Sequence, residues 1–159
     1  MTEILKVNIY IETDIGSRKR LYRGYGALVE FIRRNGEPET REIFGLCDGT
    51  WNLAYMLALT DALALLTKPC SVTMFAANKY VCENMCNGRP KEWQATGWKT
   101  VKNEPIASAE EWKELLRAAS GHELHFIKTC KSPYSDYLQR EISKVKRNGE
   151  NWQQMHIMS

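Results

Sequence analysis

Apolar and polar residues alternate from Ile4 to Glu12, with Leu5, Val7, Ile9 and Ile11 on one face. A period of two predicts a strand with one side against a core. Gly24 to Arg33 and Glu39 to Leu46 read as two further strands, and Asn35-Gly36 between them is the dipeptide of a type I′ hairpin turn. From Asn52 to Leu66 the period lengthens to that of a helix, with Leu53, Met56, Leu57, Thr60, Leu63 and Ala64 on one stripe and Pro69 beyond its end. Ser71 to Phe75 is a short apolar strand and Lys79 to Cys86 a helix. Ala109 to Ala119 reads as a helix with Ser108 as N-cap, Glu110 and Glu111 in its first turn and Gly121 after it. Leu124 to Lys128 is the last strand, and Ser135 to Arg147 an amphipathic helix with Asp136 early and basic residues late. An antiparallel meander followed by strand–helix–strand predicts an α/β protein. Its five-stranded mixed sheet has the first three strands antiparallel and helices packed on it.

Composition narrows this picture modestly. A chain of 159 residues fits one domain, read here as residues 1–147 with a C-terminal tail, 148–159, that lacks clean periodicity. A net charge of +3 carries no claim about partners until its distribution is known. No apolar run approaches the roughly 20 residues that span a bilayer, and Met1-Thr2-Glu3-Ile4 lacks the order of a signal peptide. A cytoplasmic protein with no membrane partner is expected. The five cysteines, Cys47, Cys70, Cys82, Cys86 and Cys130, are odd in number and show no disulfide framework. Cys82 and Cys86 share a helix face, but a zinc site needs two more ligands and none stands close in sequence, so they read as small residues packed on the helix.

The distinctive residues are spread along this frame. Val7-Asn8-Ile9-Tyr10-Ile11 runs into Glu12-Thr13-Asp14-Ile15-Gly16-Ser17, and Gly24-Tyr25-Gly26-Ala27 opens the second strand. Asn78-Lys79-Tyr80-Val81, Gly97-Trp98-Lys99-Thr100, Pro105 and Trp112 follow in order. Together they resemble the type 1 ribonuclease H family, with its T-D-G-S strand end, G-Y-G-A strand, T-D-S-x-Y-V junction and G-W-K-T segment. The resemblance spans roughly residues 4 to 146 and implies a ribonuclease H-like fold. It also implies a family activity, hydrolysis of RNA in an RNA–DNA hybrid, with two Mg²⁺ ions about 4 Å apart between attacking and leaving oxygens.

That chemistry needs clustered carboxylates. The resemblance implies an Asp ending the first strand, a Glu in the first helix, an Asp after the fourth strand and an Asp in the last helix. Counting from Val7 places Glu12 on the first of these, whereas matching the T-D pair places Asp14 there. The other three positions fall on Ala54, Ala77 and Gln139. Asp48 precedes the first helix and is a residual candidate, whereas Asp61 lies seven residues beyond Ala54, about 10 Å along the axis, too far to substitute. The family's flexible-loop His maps onto Cys130 or Lys131. Of the amides that read 2′-hydroxyls in the family, Thr50-Trp51-Asn52 keeps Asn52.

Cations remain. Arg18, Lys19, Arg20 and Arg23 flank Tyr22 in a loop suited to phosphate contact. Residues 89–102, with Lys91, Trp93, Lys99 and Lys102, match the family's basic protrusion, and Lys79 brings a further charge beside Ala77. The expected function is a catalytically inactive ribonuclease H-like protein that binds duplex or hybrid through these loops, with no cofactor. Two other readings stay open. One is an inactive fold used as a protein-binding scaffold or as an inhibitor of a mobile element. The other is a divergent nuclease that takes Mg²⁺ on Glu12 or Asp14 with Asp48 and Asp136.

Overall fold

The computed structural model describes residues 5–14, 21–76, 78–129 and 131–157. Strands β1 (Leu5–Thr13), β2 (Leu21–Ile32) and β3 (Pro38–Gly49) form an antiparallel meander. Helix α1 (Trp51–Ala64) leads to β4 (Cys70–Ala76), which pairs parallel to β1. Then come α2 (Lys79–Cys86), α3 (Arg89–Ala95), α4 (Ala109–Ala119), β5 (Glu123–Lys128), parallel to β4, and α5 (Ser135–Ile157). The sheet order is β3-β2-β1-β4-β5. The expected five-stranded mixed sheet with its first three strands antiparallel is therefore present.

Alternation along β1 divides the protein into two layers. Val7, Ile9 and Ile11 enter a core with α1 and α4 on one face, while Tyr10 joins Leu28 and Leu138 of α5 on the other. Helix α1 lies between the sheet and α4, and its buried face differs from the expected stripe. Met56 and Leu63 of that stripe are buried, Leu53, Leu57 and Thr60 are half-buried and Ala64 is exposed, while Ala54, Tyr55, Ala58, Leu59 and Ala62 complete the buried surface. Thr50 caps it by accepting a hydrogen bond from Leu53 N at 3.2 Å.

Four local expectations change. Gly36 has a φ of 85° while Asn35 stays out of the left-handed region. Gly36 N donates to Arg33 O at 2.9 Å and Arg33 N to Glu37 O at 3.0 Å. This is a three-residue loop closed by a left-handed glycine, not a type I′ turn. Ser108 occupies the N-cap of α4 with a φ of 57° and makes no side-chain cap bond. Residues 89–95, read as part of a basic loop, form α3, started by Pro90 in its first turn. Helix α5, expected to end at Arg147 before a loose tail, continues to Ile157.

Helix α5 is the sole helix among the described ones on its face of the sheet, packing across β1, β2 and β3. Tyr134, just before it, donates to Glu30 Oε2 at 2.7 Å, and Glu30 Oε1 takes Asn8 Nδ2 at 3.0 Å. Neutral donors thus satisfy a nearly buried carboxylate. Farther along, Ile142 sits over β2 where Gly24 and Gly26 leave room. A Cβ at Gly24 would meet Ile142 Cγ2 at 2.7 Å, and one at Gly26 would lie 3.3 Å from Ile142 Cγ1.

Gly24→Ala is expected to cost about 1–3 kcal/mol through overpacking. Urea denaturation of Gly24→Ala, Ile142→Ala and the double variant tests the contact. The double variant should lose less than the sum of the single losses, and strict additivity would show that the helix is not seated on that glycine.

Candidate functional site

Because β1 and β4 are parallel neighbours, their C-terminal ends open at the same end of the sheet. There α1 and α2 begin side by side, joined by Asn78 Nδ2 donating to Asn52 Oδ1 at 2.9 Å. Asn78 also caps α2, its Oδ1 accepting from Val81 N at 2.9 Å.

Glu12 follows Tyr10 on the α5 face of β1. Its Oε1 accepts from Gln139 Nε2 at 3.1 Å, and the same nitrogen donates to the Thr13 carbonyl at 2.9 Å. A carboxamide nitrogen has two N–H groups, and both are spent here. Glu12 is half-buried, and that burial holds its carboxyl above the usual range. Hydrogen bonds from Gln139 and Ser135 pull it back, and the charge of Asp136 pushes it up. Asp14, just past the strand, accepts from Gly24 N at 2.7 Å and pairs with Lys146 Nζ at 3.1 Å, both through Oδ2.

The remaining positions behave differently from one another. Ala54 is fully buried. One residue on, Tyr55 is buried as well. Its hydroxyl lies 3.8 Å from Cys82 Sγ, and its pKa is driven up mainly by burial, then by Cys82, with Glu12 contributing. Tyr55 stands three residues after Asn52 and so shares its helix face, a spacing that could have identified it. Ala77 and Cys130 lie outside the described residues, while Lys131 pairs with Asp136 at 3.5 Å. Asp48 is exposed on β3, in register with Tyr22. Lys79 is exposed, with Nζ 3.8 Å from Glu83, a helix-surface pair rather than a charge filling the site. Among the described residues, no group of three or more His, Cys, Asp and Glu is placed to hold a metal ion. Mg²⁺ asks for free hard oxygens in near-octahedral array. The described residues at this end of β1 instead meet their carboxylates with an amide and an ammonium, and they do not fit a metal pair.

The cations divide as well. Arg23 is completely buried and donates from Nε to Gly49 O at 3.1 Å, so it braces β2 against β3 and does not face a phosphate. Alternation along a central strand turns it inward. Arg18, Lys19 and Arg20 lie outside the described residues. Lys91, Lys99 and Lys102 are exposed. Trp93 is half-buried and packs edge-on against Trp112 with ring centres 5.5 Å apart, so it supports α3 more than it offers a stacking surface. Beyond α3 the chain forms a small hairpin, with Ile106 N to Trp98 O at 3.0 Å and Thr100 N to Glu104 O at 2.7 Å. This hairpin holds Lys99, Val101 and Lys102 out into solvent.

No protein-family model matches the chain. The fold is that of the ribonuclease H-like proteins. LC9-RNase H1, described as a type 1 RNase H with the type 2 active-site motif, superposes with a TM-score of 0.74 at 18% identity, covering 93% of this chain and 75% of its own. A foamy viral protease–reverse transcriptase in complex with an RNA/DNA hybrid gives 0.62 at 15% identity, over 89% of this chain and 20% of that one. In sequence, a ribonuclease H of Lachnoclostridium phytofermentans is 32% identical over 123 residues, 77% of this chain and 78% of the relative. The chain belongs to the ribonuclease H family.

The raised carboxyl of Glu12 has a signed consequence. The folded state keeps that proton to higher pH than the unfolded chain. Glu12's contribution to stability therefore falls as pH rises from 4.5 through the raised value, and the ionised group is a net cost above it. Glu12→Gln keeps an acceptor for Gln139 and removes the titration. Its stability in urea, relative to the parent's, should rise across that interval, and a relative fall would contradict the assignment.

Proposed function

We propose that this protein is a ribonuclease H-fold binder of nucleic acid, duplex or RNA–DNA hybrid, that does not cleave it. The observation that carries this reading is Gln139 bonded to Glu12 and Thr13. Where the family resemblance calls for a metal-binding carboxylate, this chain has a hydrogen-bond donor facing Glu12 near the end of β1. Two-metal hydrolysis depends on the whole ligand set, so losses act on one unit rather than adding. Binding draws on Lys91, Lys99 and Lys102, with Arg18, Lys19 and Arg20 from the β1–β2 connection, and with Asn52 beside the α2 cap. That a structural neighbour is described in complex with an RNA/DNA hybrid supports this choice of ligand. Among the described residues no helix is long and apolar enough to cross a membrane.

The burial of Arg23 and the packing of Trp93 remove two members of the nucleic-acid set. That reduction favours, as a second reading, an emptied site whose surface serves a protein partner, as in an inhibitor of a mobile element. The residual-nuclease reading finds less support, since Asp14 pairs with Lys146 and Asp136 with Lys131.

Incubation of a labelled RNA–DNA hybrid with Mg²⁺ or Mn²⁺ should give no product. Robust turnover abolished by Glu12→Ala or Asp14→Ala would overturn the inactive reading. Combining Ala77→Asp and Gln139→Asp with Tyr55→Glu should restore more activity than the same pair with Ala54→Glu.

Four to six phosphate contacts predict a slope of log K against log salt of about −4 to −5. Charge reversal across 18–20 should weaken every sequence to a similar degree. Negligible binding at low salt by the folded protein would put the protein-partner reading ahead.

A further inference from the structure

Gln139 and Lys146 stand seven residues apart on α5, two turns, and so face the same way. Glu12 and Asp14 stand two apart at the end of β1, and so share a face as well. Helix and strand end are brought together where Ile142, between the two α5 residues, seats on Gly24 and Gly26. Gln139 meets Glu12, and Lys146 meets Asp14.

We propose that Gln139 and Lys146 replace divalent ions at this site, so that the protein holds the nucleic-acid backbone there without metal. The inference rests on the nucleic-acid reading above and adds to it how two carboxylates come to tolerate a phosphate. Bare carboxylates at the end of β1 would repel the backbone, and dications answer that problem in the family mechanism. Here an ammonium supplies the positive charge on one carboxylate, and a neutral amide occupies the other. Lys146 suits the task because it is only partly covered, with 32% of its side chain exposed. An ammonium has three N–H groups, so its pairing with Asp14 leaves donors for a phosphate oxygen. A metal ion entering the same place would have to displace both the amide bonds of Gln139 and the ammonium, and would meet the repulsion of the latter.

Two measurements on the full chain test this. Calorimetric titration with MnCl₂ alone should show no binding at micromolar ion, whereas Gln139→Asp with Lys146→Met should gain at least about tenfold in Mn²⁺ affinity. Fluorescence anisotropy with a labelled RNA–DNA hybrid, at matched ionic strength, should give the same affinity in EDTA and in Mg²⁺. Lys146→Met alone, checked for folding by circular dichroism, should bind hybrid about tenfold more weakly in EDTA and recover part of that loss when Mg²⁺ is added. Micromolar Mn²⁺ binding by the parent would overturn the proposal. So would a hybrid affinity that rises tenfold with Mg²⁺, a result that leaves the nucleic-acid reading standing. A flat Mn²⁺ titration with no hybrid binding in either buffer would support the exclusion of metal and sink the nucleic-acid reading instead.

Discussion

The height of α5 above the sheet governs the rest of the site. Gly24 and Gly26 carry no side chain where Ile142 descends, with Ile142 1% exposed and Leu138 one turn earlier fully buried. Tyr134 and Tyr137 fix the start of the helix by donating to Glu30 at 2.7 Å and to Glu42 at 2.6 Å. Held at these points, α5 has little freedom to shift, and Gln139 and Lys146 fall on Glu12 and Asp14. A helix about half an ångström higher would stretch the 2.9 and 3.1 Å bonds of Gln139 beyond useful hydrogen-bond distance.

The electrostatics follow from that seating. A half-buried carboxyl is costly when ionised, and Glu12 shows the cost as a raised pKa relieved in part by Gln139. Asp14 has a backbone amide and an ammonium on one oxygen. Each acidic group therefore has an internal answer, which is the opposite of the arrangement a metal centre requires, with oxygens left bare until an ion satisfies them. The proposed loss of catalysis and the proposed metal-free binding both come from that one difference.

Much of the fold was legible in the sequence because it rests on periodicity. The two-residue alternation of Val7, Ile9 and Ile11 is a local signal that the core uses as written, whereas the helical spacing of 52–66 locates α1 but not its buried face, which is set by packing between the sheet and α4. What was not legible depends on packing across long separations. Nothing near Arg23 announces that its guanidinium is buried against Gly49, and a cation beside other cations reads as a surface group. Helix α3 was hidden because Arg89-Pro90-Lys91 looks like a basic loop until Pro90 is seen in a first helical turn. In the site, Glu12 and Gln139 were both singled out, but that they bond each other across 127 positions follows only from the docking of α5. Tyr55 and Lys146 were not singled out, the first because a tyrosine in an apolar helix reads as core and the second because a lysine late in an amphipathic helix looks like an ordinary response to the helix dipole.

The Gln139 carboxamide is held between Glu12 and the Thr13 carbonyl, in the proposed place of a metal ion. The side-chain NH₂ of Gln139 in a ¹H–¹⁵N spectrum reports on this directly. Two resolved protons are expected that exchange slowly with water, that move on Glu12→Ala, and that micromolar Mn²⁺ leaves sharp. A Gln139 side chain that exchanges like a free solvent amide and broadens at micromolar Mn²⁺ would contradict it.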